Sequence, residues 1–471
     1  MRYIPLVRKP RPASGGPSLR SPKHGDTVEV RCADLDDEGA GIGELDGLRL
    51  HVAGALPGET ATARVVHRSP HRPEAWAELV TLSARSPERV DPVCPAYGPC
   101  GGCVLQHLQY EAQRTWKRTR VGAALAASGL GDIPVAACVA APRPLGYRNR
   151  SKLVCAGGPD EVLVLGAFKP RTHEVVDLAG CRVAEPPLDD VRAALLPLVG
   201  AAGVTPYDER LATGTLRHVV LRVNSGGEVL CVFVTAHAPD APPWEAGVAL
   251  AERLMAARGD VVGCVENRNP GRTNAIFGPT TLPLAGRQWL DETVGGVTLR
   301  LSPTAFFQVN RDVATLLYAD VLAAAGLTGT ERVVDCYSGV GGLALTLAPR
   351  AAEVIGIEEH PGAVADARAS AQHNHATRAR FVEGDAAARL AELDVADVVV
   401  LNPPRRGCDP EVLAEVVRLA PRLILYVSCA PDTLARDLAA LATKGYRTRA
   451  VRPYDMLPQT PHVEALAVIT R

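Results

Sequence analysis

The feature that most limits what this chain can become is the alternation that begins at Thr330. Short apolar runs (RVVDC, EVIGIEE, RFVEG, DVVVLN, LILYVSC and finally ALAVIT) alternate with segments of helical spacing after Gly342, through Asn374, from Pro410 and from Asp432. Strands that are apolar on both faces and joined by helices are buried only when helices cover the sheet on either side. The expectation is therefore a parallel, doubly wound α/β domain. Ligands of such sheets collect at the carboxyl ends of the strands, so the residues that close each run are the ones to read for chemistry.

The chain has 471 residues, and at about 100 to 200 residues per domain the doubly wound part is one of several. From residue 25 to 84, Gly-punctuated segments such as DTVEVRCADLD and EAWAELVTLSA alternate apolar and polar residues, which reads as a small β-barrel. Residues 85–300 mix strands (EVLVLGAF, RHVVLRV, VLCVFVTA) with helices (WEAGVALAERLMAA), an α+β middle domain. Residues 301–471 are the doubly wound domain. Residues 1–24 carry Arg2, Arg8, Lys9, Arg11, Arg20 and Lys23 with no acidic residue, and are expected to be a flexible tail, either solvating or following phosphates. With 47% hydrophobic and 22% charged residues the chain is globular, not disordered or collagen-like. No run approaches about 18 apolar residues and the N-terminus has no apolar signal core, so the expected location is cytoplasmic, away from any membrane.

The first strand of the alternating region ends in Asp335 and runs into Cys336-Tyr337-Ser338-Gly339-Val340-Gly341-Gly342. Glycines such as Gly339 and Gly342 let the backbone turn sharply and approach a ligand, and Glu358 closes the second strand at about the spacing where a carboxylate binds ribose hydroxyls. Alone, this fits NAD, S-adenosylmethionine or tight packing. Asp385, after RFVEG, and Asn402, in LNPPRRG, stand at two further strand ends. Asn-Pro-Pro is a rigid, exposed turn, a poor choice for mere packing; it resembles a turn carried by many methyltransferases that act on flat nitrogenous groups, and that resemblance favours methyl transfer to a base over hydride transfer.

Strand LILYVS delivers Cys429 to the same edge. A cysteine there is ordinarily a small buried hydrophobe, but this one would stand near any methyl donor. Carbon 5 of uracil is a poor nucleophile, and thiolate addition at carbon 6 makes it enolate-like. A base must then remove the proton from carbon 5, and Glu464, just before the last strand, could reach the same pocket.

Twelve cysteines are too dilute for a disulfide scaffold. Cys94, Cys100 and Cys103, with Cys181 far downstream, could supply four thiolates to structural zinc or to an iron-sulfur cube; the others lack ligand spacing and read as core. Arg114, Lys117, Arg118 and Arg120 surround Trp116, and Arg148, Arg150 and Lys152 follow Tyr147. Either group suits phosphate neutralisation with stacking, although a solvated helix face explains the first equally well. An aromatic such as Phe306 or Phe307 could hold a flipped base.

Together the motifs CGGCVLQHLQYEAQRTWK, SPTAFFQVN, DCYSGVGG, LNPPRRG, YVSCAPDTLARDL and MLPQTPHVE resemble the RNA uracil-5-methyltransferase family. The turn from Val52 to Glu59 resembles that of the TRAM domain, an OB-like barrel that accompanies RNA-modifying enzymes. The resemblance implies Cys429 as nucleophile and Glu464 as base. It also implies a donor pocket lined by Gln308, Tyr337, Glu358, Asp385 and Asn402 with the glycine loop, and a [4Fe-4S] cluster on Cys94, Cys100, Cys103 and Cys181. The expected substrate is a uridine in ribosomal RNA, with transfer RNA the alternative, and the expected state is a monomer with no obligatory protein partner. Asn402, Ala430 and Gln459 stand where many members have Asp, Asn and His, and Gly342 lacks a side chain that some relatives use; these bear on specificity and rate, not on the reaction class. Two other readings differ in visible ways. Radical methylthiotransferases carry CxxxCxxC in a barrel, and a non-catalytic RNA-binding protein on this fold would not require Cys429, Glu464 and Gln308 together.

Overall fold

Five strands, β1 (Thr27–Leu35), β2 (Gly41–Leu45), β3 (Leu48–Ala53), β4 (Thr60–Arg68) and β5 (Glu74–Ala84), close into a barrel in the order β1-β2-β3-β5-β4 in this computed structural model. Only β3 and β5 run parallel. The expected alternation is realised: Leu48, Leu50 and Val52 point inward while Arg49 and His51 do not, and small residues on β4, Ala61 and Ala63, fit the narrow interior. The turn before β4 is organised by Glu59, which is buried. Burial alone would raise its carboxyl. Hydrogen bonds from Arg89 and from the amides of Ser86 and Leu56 nevertheless hold it below the usual range.

The structure describes residues 22–157 and 162–471, so the expected N-terminal tail lies almost entirely outside the described residues. The described residues form two compact units, divided between Arg89 and Val90. The second unit holds two seven-stranded sheets. Helix α1 (Tyr110–Ala127) leads to the first, built from β6 (Arg150–Gly157), β7 (Leu163–Phe168), β8 (Val175–Asp177), β9 (Leu216–Val223), β10 (Val229–Thr235), β11 (Val261–Arg268) and β12 (Thr280–Gly286) in the order β12-β11-β10-β9-β6-β7-β8. Helices α2 (Pro186–Ala201) and α3 (Glu245–Ala257) cover one face through a core that includes Leu153, Leu195, Leu221, Phe233 and Leu250. A hairpin, β13 (Leu290–Val294) and β14 (Val297–Leu301), and helix α4 (Arg311–Ala325) lead into the second sheet.

That sheet contains β15 (Arg332–Cys336), β16 (Glu353–Glu358), β17 (Ala379–Glu383), β18 (Val398–Leu401), β19 (Leu423–Ser428), β20 (Arg447–Tyr454) and β21 (Glu464–Thr470), in the order β17-β16-β15-β18-β19-β21-β20. The first five are parallel, as the alternation requires. The last apolar run departs from the expected parallel sheet: β21 is antiparallel to both β19 and β20. Strand β20 had no apolar run to announce it, because Arg447, Arg449 and Arg452 interrupt it and Pro453 stands one residue before its end. Helices α5 (Gly342–Leu347), α6 (Pro361–His373), α7 (Ala386–Ala391), α8 (Pro410–Leu419) and α9 (Pro431–Ala442) join these strands. One face is packed by Leu317, Val321, Leu343 and Val364, the other by Val412, Leu434 and Leu438 together with Val121 and Leu125 of α1. At Gly342 a Cβ would fall against the Tyr318 hydroxyl and 3.0 Å from two of its ring carbons, so packing of α4 accounts for the missing side chain.

The basic run around Trp116 is divided: Lys117 turns into the core, whereas Arg118 stays exposed. Gln113, Lys117, Val121 and Leu125 follow one another at four-residue spacing, so they share the inward face of α1. Lys117 is fully buried, with its ammonium 2.5 Å from the Asp455 carboxylate and 3.1 Å from the Leu457 carbonyl. Arg114 and Arg118 bond the carbonyls of Cys138 and Val135. Removing one partner of a buried ion pair leaves the other charge stranded. We therefore expect Lys117→Met to lose about 3 to 5 kcal/mol in denaturant unfolding, with part of the loss recovered when Asp455→Asn is added.

Candidate functional site

The edge formed by the carboxyl ends of β15, β16, β18 and β19 gathers most of the expected residues. Asp335, the penultimate residue of β15, is buried, and its Oδ2 accepts the Ala344 amide of α5 at 3.0 Å. Burial, and then the nearby charge of Glu358, raise its carboxyl to about 7. The loop that follows uses left-handed backbone at Tyr337 (φ 63°), Gly339 (φ 54°) and Gly341 (φ 89°). Glu358 ties down this loop: one carboxylate oxygen accepts the Gly339 amide at 3.0 Å, the other the His360 amide at 2.9 Å. Asp385 caps α7 by accepting the Ala388 amide at 2.9 Å, and the Asn402 amide donates to the Cys336 carbonyl at 3.3 Å. Two polar atoms of the loop, Asp335 Oδ1 and Ser338 Oγ, are buried without a partner.

Gln308 is half-buried and its carbonyl accepts from Asn149 at 3.0 Å. The two neighbouring aromatics separate. Phe307 is in the core, whereas Phe306 is 70% exposed, so only Phe306 is available to a base.

Cys429 and Glu464 come together through strand register. Ser428 of β19 pairs with Ala465 of β21, so one step outward Cys429 stands opposite Glu464. Glu464 is only 6% exposed, and burial raises its carboxyl to about 7 against the opposing charge of Arg405. Burial, then the charge of Glu464, raise the Cys429 thiol, while the charge and hydrogen bond of Arg405 pull the other way. Arg405 was missed in the sequence, although it stands three residues beyond Asn402 in the same rigid turn. Thr433 Oγ1 bonds both the Arg405 and Ala430 carbonyls, fastening this turn to the start of α9. Ala430 cannot cap that helix with its side chain; its amide donates to Ser428 Oγ at 3.1 Å instead. His462 was also missed. Burial, then Arg405 and the other cations around it, lower its imidazole to about 4 and leave it neutral.

The segment before Glu464 has little regular structure and is held from outside. The Gln459 amide N–H donates to Gln113 Oε1 at 3.0 Å while Gln113 Nε2 donates to Gln459 Oε1 at 2.9 Å. The Gln459 carbonyl accepts the Leu105 amide at 3.0 Å, and Tyr147 and Arg120 donate to the carbonyls of Pro458 and Pro461. The departure at Gln459 is thus a structural pairing with α1.

Cys94, Cys100 and Cys103 lie on the turns that precede α1, and Cys181 follows β8. Burial is the main reason the Cys100 and Cys103 thiols are raised, Cys103 to about 12, and the other thiols of the four add to it. All are free thiols, and the remaining seven cysteines outside the edge are buried, as core residues should be. Among the described residues no group of three or more His, Cys, Asp or Glu side chains is placed to hold a metal ion.

Comparison with known proteins agrees with this architecture. The family model described as tRNA (Uracil-5-)-methyltransferase matches residues 294–471. An RNA methyltransferase of Geobacter sulfurreducens is 39% identical over 97% of this chain and 92% of its own, and one of Halalkalibacterium halodurans is 37% identical over 94% and 97%. The crystal structure of Pyrococcus abyssi tRNA (uracil-54, C5)-methyltransferase in complex with S-adenosyl-L-homocysteine is similar with a TM-score of 0.75 and 27% identity, over 94% of this chain and 100% of that one. Since identity of this order runs along nearly the whole of both chains, and the doubly wound part matches the family model itself, the chain belongs to the RNA uracil-5-methyltransferase family.

Proposed function

We propose that this enzyme methylates carbon 5 of a uridine in structured RNA through a covalent cysteine adduct, with S-adenosylmethionine as donor. The observation that carries the reading is the juxtaposition of Cys429 with a buried Glu464 across two antiparallel strands. When bound, S-adenosylmethionine supplies an electrophilic methyl group. Glu358, Asp385, Asn402, Gln308 and the loop from Tyr337 through Gly339 to Gly342 would hold it, and the unpartnered Asp335 Oδ1 and Ser338 Oγ fit a ligand rich in polar groups. The P. abyssi relative holds the demethylated product of that donor.

In this reading Cys429 Sγ, favoured as thiolate by Arg405, bonds to carbon 6 of the flipped uracil, and the displaced π electrons make carbon 5 nucleophilic. After carbon 5 has taken the methyl group, Glu464 removes its proton, the double bond re-forms and the bond from sulfur to carbon 6 breaks. A carboxyl near 7 suits this task, since it is ionised in a useful fraction yet basic enough to take a proton. The exposed ring of Phe306 would stack on the displaced base. The five-stranded barrel serves as a TRAM-type RNA platform. Cys94, Cys100, Cys103 and Cys181 would hold a [4Fe-4S] cluster: the other three lie near enough to act on the Cys103 thiol, and four thiols fit its donor set in kind. Ribosomal RNA is the proposed target, the enzyme acting as a cytoplasmic monomer.

Three results test this. RNA carrying 5-fluorouridine should trap the unmutated enzyme in an adduct that survives denaturing gels, and Glu464→Gln should accumulate a methylated adduct, whereas Cys429→Ala forms neither. Normal turnover by Cys429→Ala would falsify the covalent route, and trapping confined to transfer RNA would move the target. The turnover rate should rise with pH through about 7 and then level, as the base ionises. Because folding raises the Glu464 carboxyl above its unfolded value, its contribution to stability is present at low pH and is lost as pH rises through about 7. The Tm should therefore fall between about pH 5 and pH 8, and fall less in Glu464→Gln; Asp335, raised in the same sense, keeps part of the slope. Finally, anaerobically purified protein should be brown and contain iron, losing both in Cys181→Ser but not in Cys138→Ser; colourless, fully folded protein with stoichiometric zinc overturns the cluster.

A further inference from the structure

Along β6, Leu153 and Cys155 face the core beneath α2 and α3, and Val219, Leu221 and Val223 do the same from β9. Alternate residues project from the other face, and there the pattern turns basic: Arg150 is paired directly with Arg222, and Lys152 lies next along the strand. Arg222 is 6% exposed. Its guanidinium and that of Arg150 share one neutral acceptor, the Ala305 carbonyl, and Arg222 Nη1 has no hydrogen-bond partner. Burial and the neighbouring Arg150 lower Arg222 to about 9. The charged groups acting on Lys152 are all cations, Arg150, Arg148 and Arg222. Of the carboxylates that reach Arg222 at longer range, Glu292 is taken by Arg311 and Asp366 by the Ser302 amide.

Like charges directly opposite in a sheet repel, and a buried guanidinium with an unused donor is costly, so the fold gains nothing by keeping these three cations together. An anion would repay the cost. Two features make that anion a nucleic-acid phosphate. Arg150 and Lys152 are two residues apart on an extended strand, about 6.6 Å, a separation that suits successive phosphates of an extended chain. Ala305, which both arginines grip, is followed by the exposed Phe306, so a phosphate on the cations would place its nucleotide beside an aromatic platform.

We propose that Arg150, Lys152 and Arg222 form a phosphodiester-binding station on the face of the middle sheet opposite α2 and α3, holding the RNA backbone next to the nucleotide displaced at Phe306. The station rests on the RNA-methylation reading and adds to it the part of the enzyme that grips the strand beside the target.

The test is binding of a labelled oligouridylate across a salt series, with S-adenosylmethionine affinity and Tm measured on the same proteins. Arg150→Gln with Lys152→Gln should weaken binding roughly ten-fold and reduce the slope of log K against log salt by about 0.7 per cation removed, without changing donor affinity. A control pair, Arg447→Gln with Arg449→Gln, should do neither. Arg222→Met should bind RNA less tightly while melting at a higher temperature, because the unpaired buried charge is gone; a purely structural arginine would lower the Tm and leave affinity unchanged. The station is wrong if the first pair keeps its affinity and slope, if the control pair loses as much, or if Arg222→Met only destabilises. Failure of the unmutated protein to bind oligouridylate at low salt would instead remove the RNA reading, and the station with it.

Discussion

A buried ammonium holds the C-terminal part of this enzyme in register. Lys117 lies 2.5 Å from Asp455 with neither side chain exposed, and the segment that runs from Asp455 to Glu464 has no helix or strand of its own to satisfy its backbone. Its carbonyls and amides are met by Leu105, Gln113, Tyr147, Arg120 and Lys117 itself. The same stretch of chain that carries Cys94, Cys100 and Cys103 therefore continues into the groups that fix the approach to Glu464. Leu105, two residues beyond Cys103, donates its amide to the Gln459 carbonyl, so a backbone hydrogen bond joins the cysteine-rich segment to the strap.

Two carboxyl groups in the second sheet are raised to about 7, and both owe it first to burial. Their surroundings assign them different work. Asp335 spends one oxygen on the Ala344 amide and so anchors the helix after the glycine loop. Glu464 has Arg405 as its opposing charge and a thiol across the strand pair. The Glu464 carboxylate, once formed, opposes proton loss from the Cys429 thiol. Arg405 is the group that eases both, and its exposed position on a rigid Asn-Pro-Pro turn allows an incoming base to meet it.

Much of this was legible in the sequence because it depends on local pattern. Apolar runs separated by helical spacing announced β15 to β19, and alternation announced the barrel. Strand ends marked Glu358, Asp385, Asn402 and Cys429. The parts that were not legible depend on contacts between distant residues. Lys117 sits in a basic run that reads as solvated or RNA-facing, and only the partner 338 residues away explains its burial. Gly342 reads as a loop glycine, whereas its neighbour Tyr318 on α4 leaves no room for a Cβ. Strand β20, interrupted by Arg447, Arg449 and Arg452, carries no apolar signal; it lies at the edge of the sheet, where Val135 and Val139 pair along it.

The antiparallel last strand also explains how one edge can carry both proposed catalytic groups. In a parallel sheet only residues that close strands reach the ligand-bearing edge, and those that open strands are at the far side, some 20 Å away for a strand of six residues at about 3.3 Å each. Cys429 follows the end of β19 in the ordinary way. Glu464 opens β21, and in a parallel strand it would lie at the opposite edge. Reversing β21 brings its first residue to the edge where β19 finishes, so the proposed nucleophile after a strand end and the proposed base at a strand start face each other through backbone pairing alone. The return from β20 to β21 is the strap which Lys117 and Gln113 hold. A sheet with β21 parallel could keep every residue of both motifs and still separate them, which is why the pair could be suspected from two motifs but only located by the strand direction.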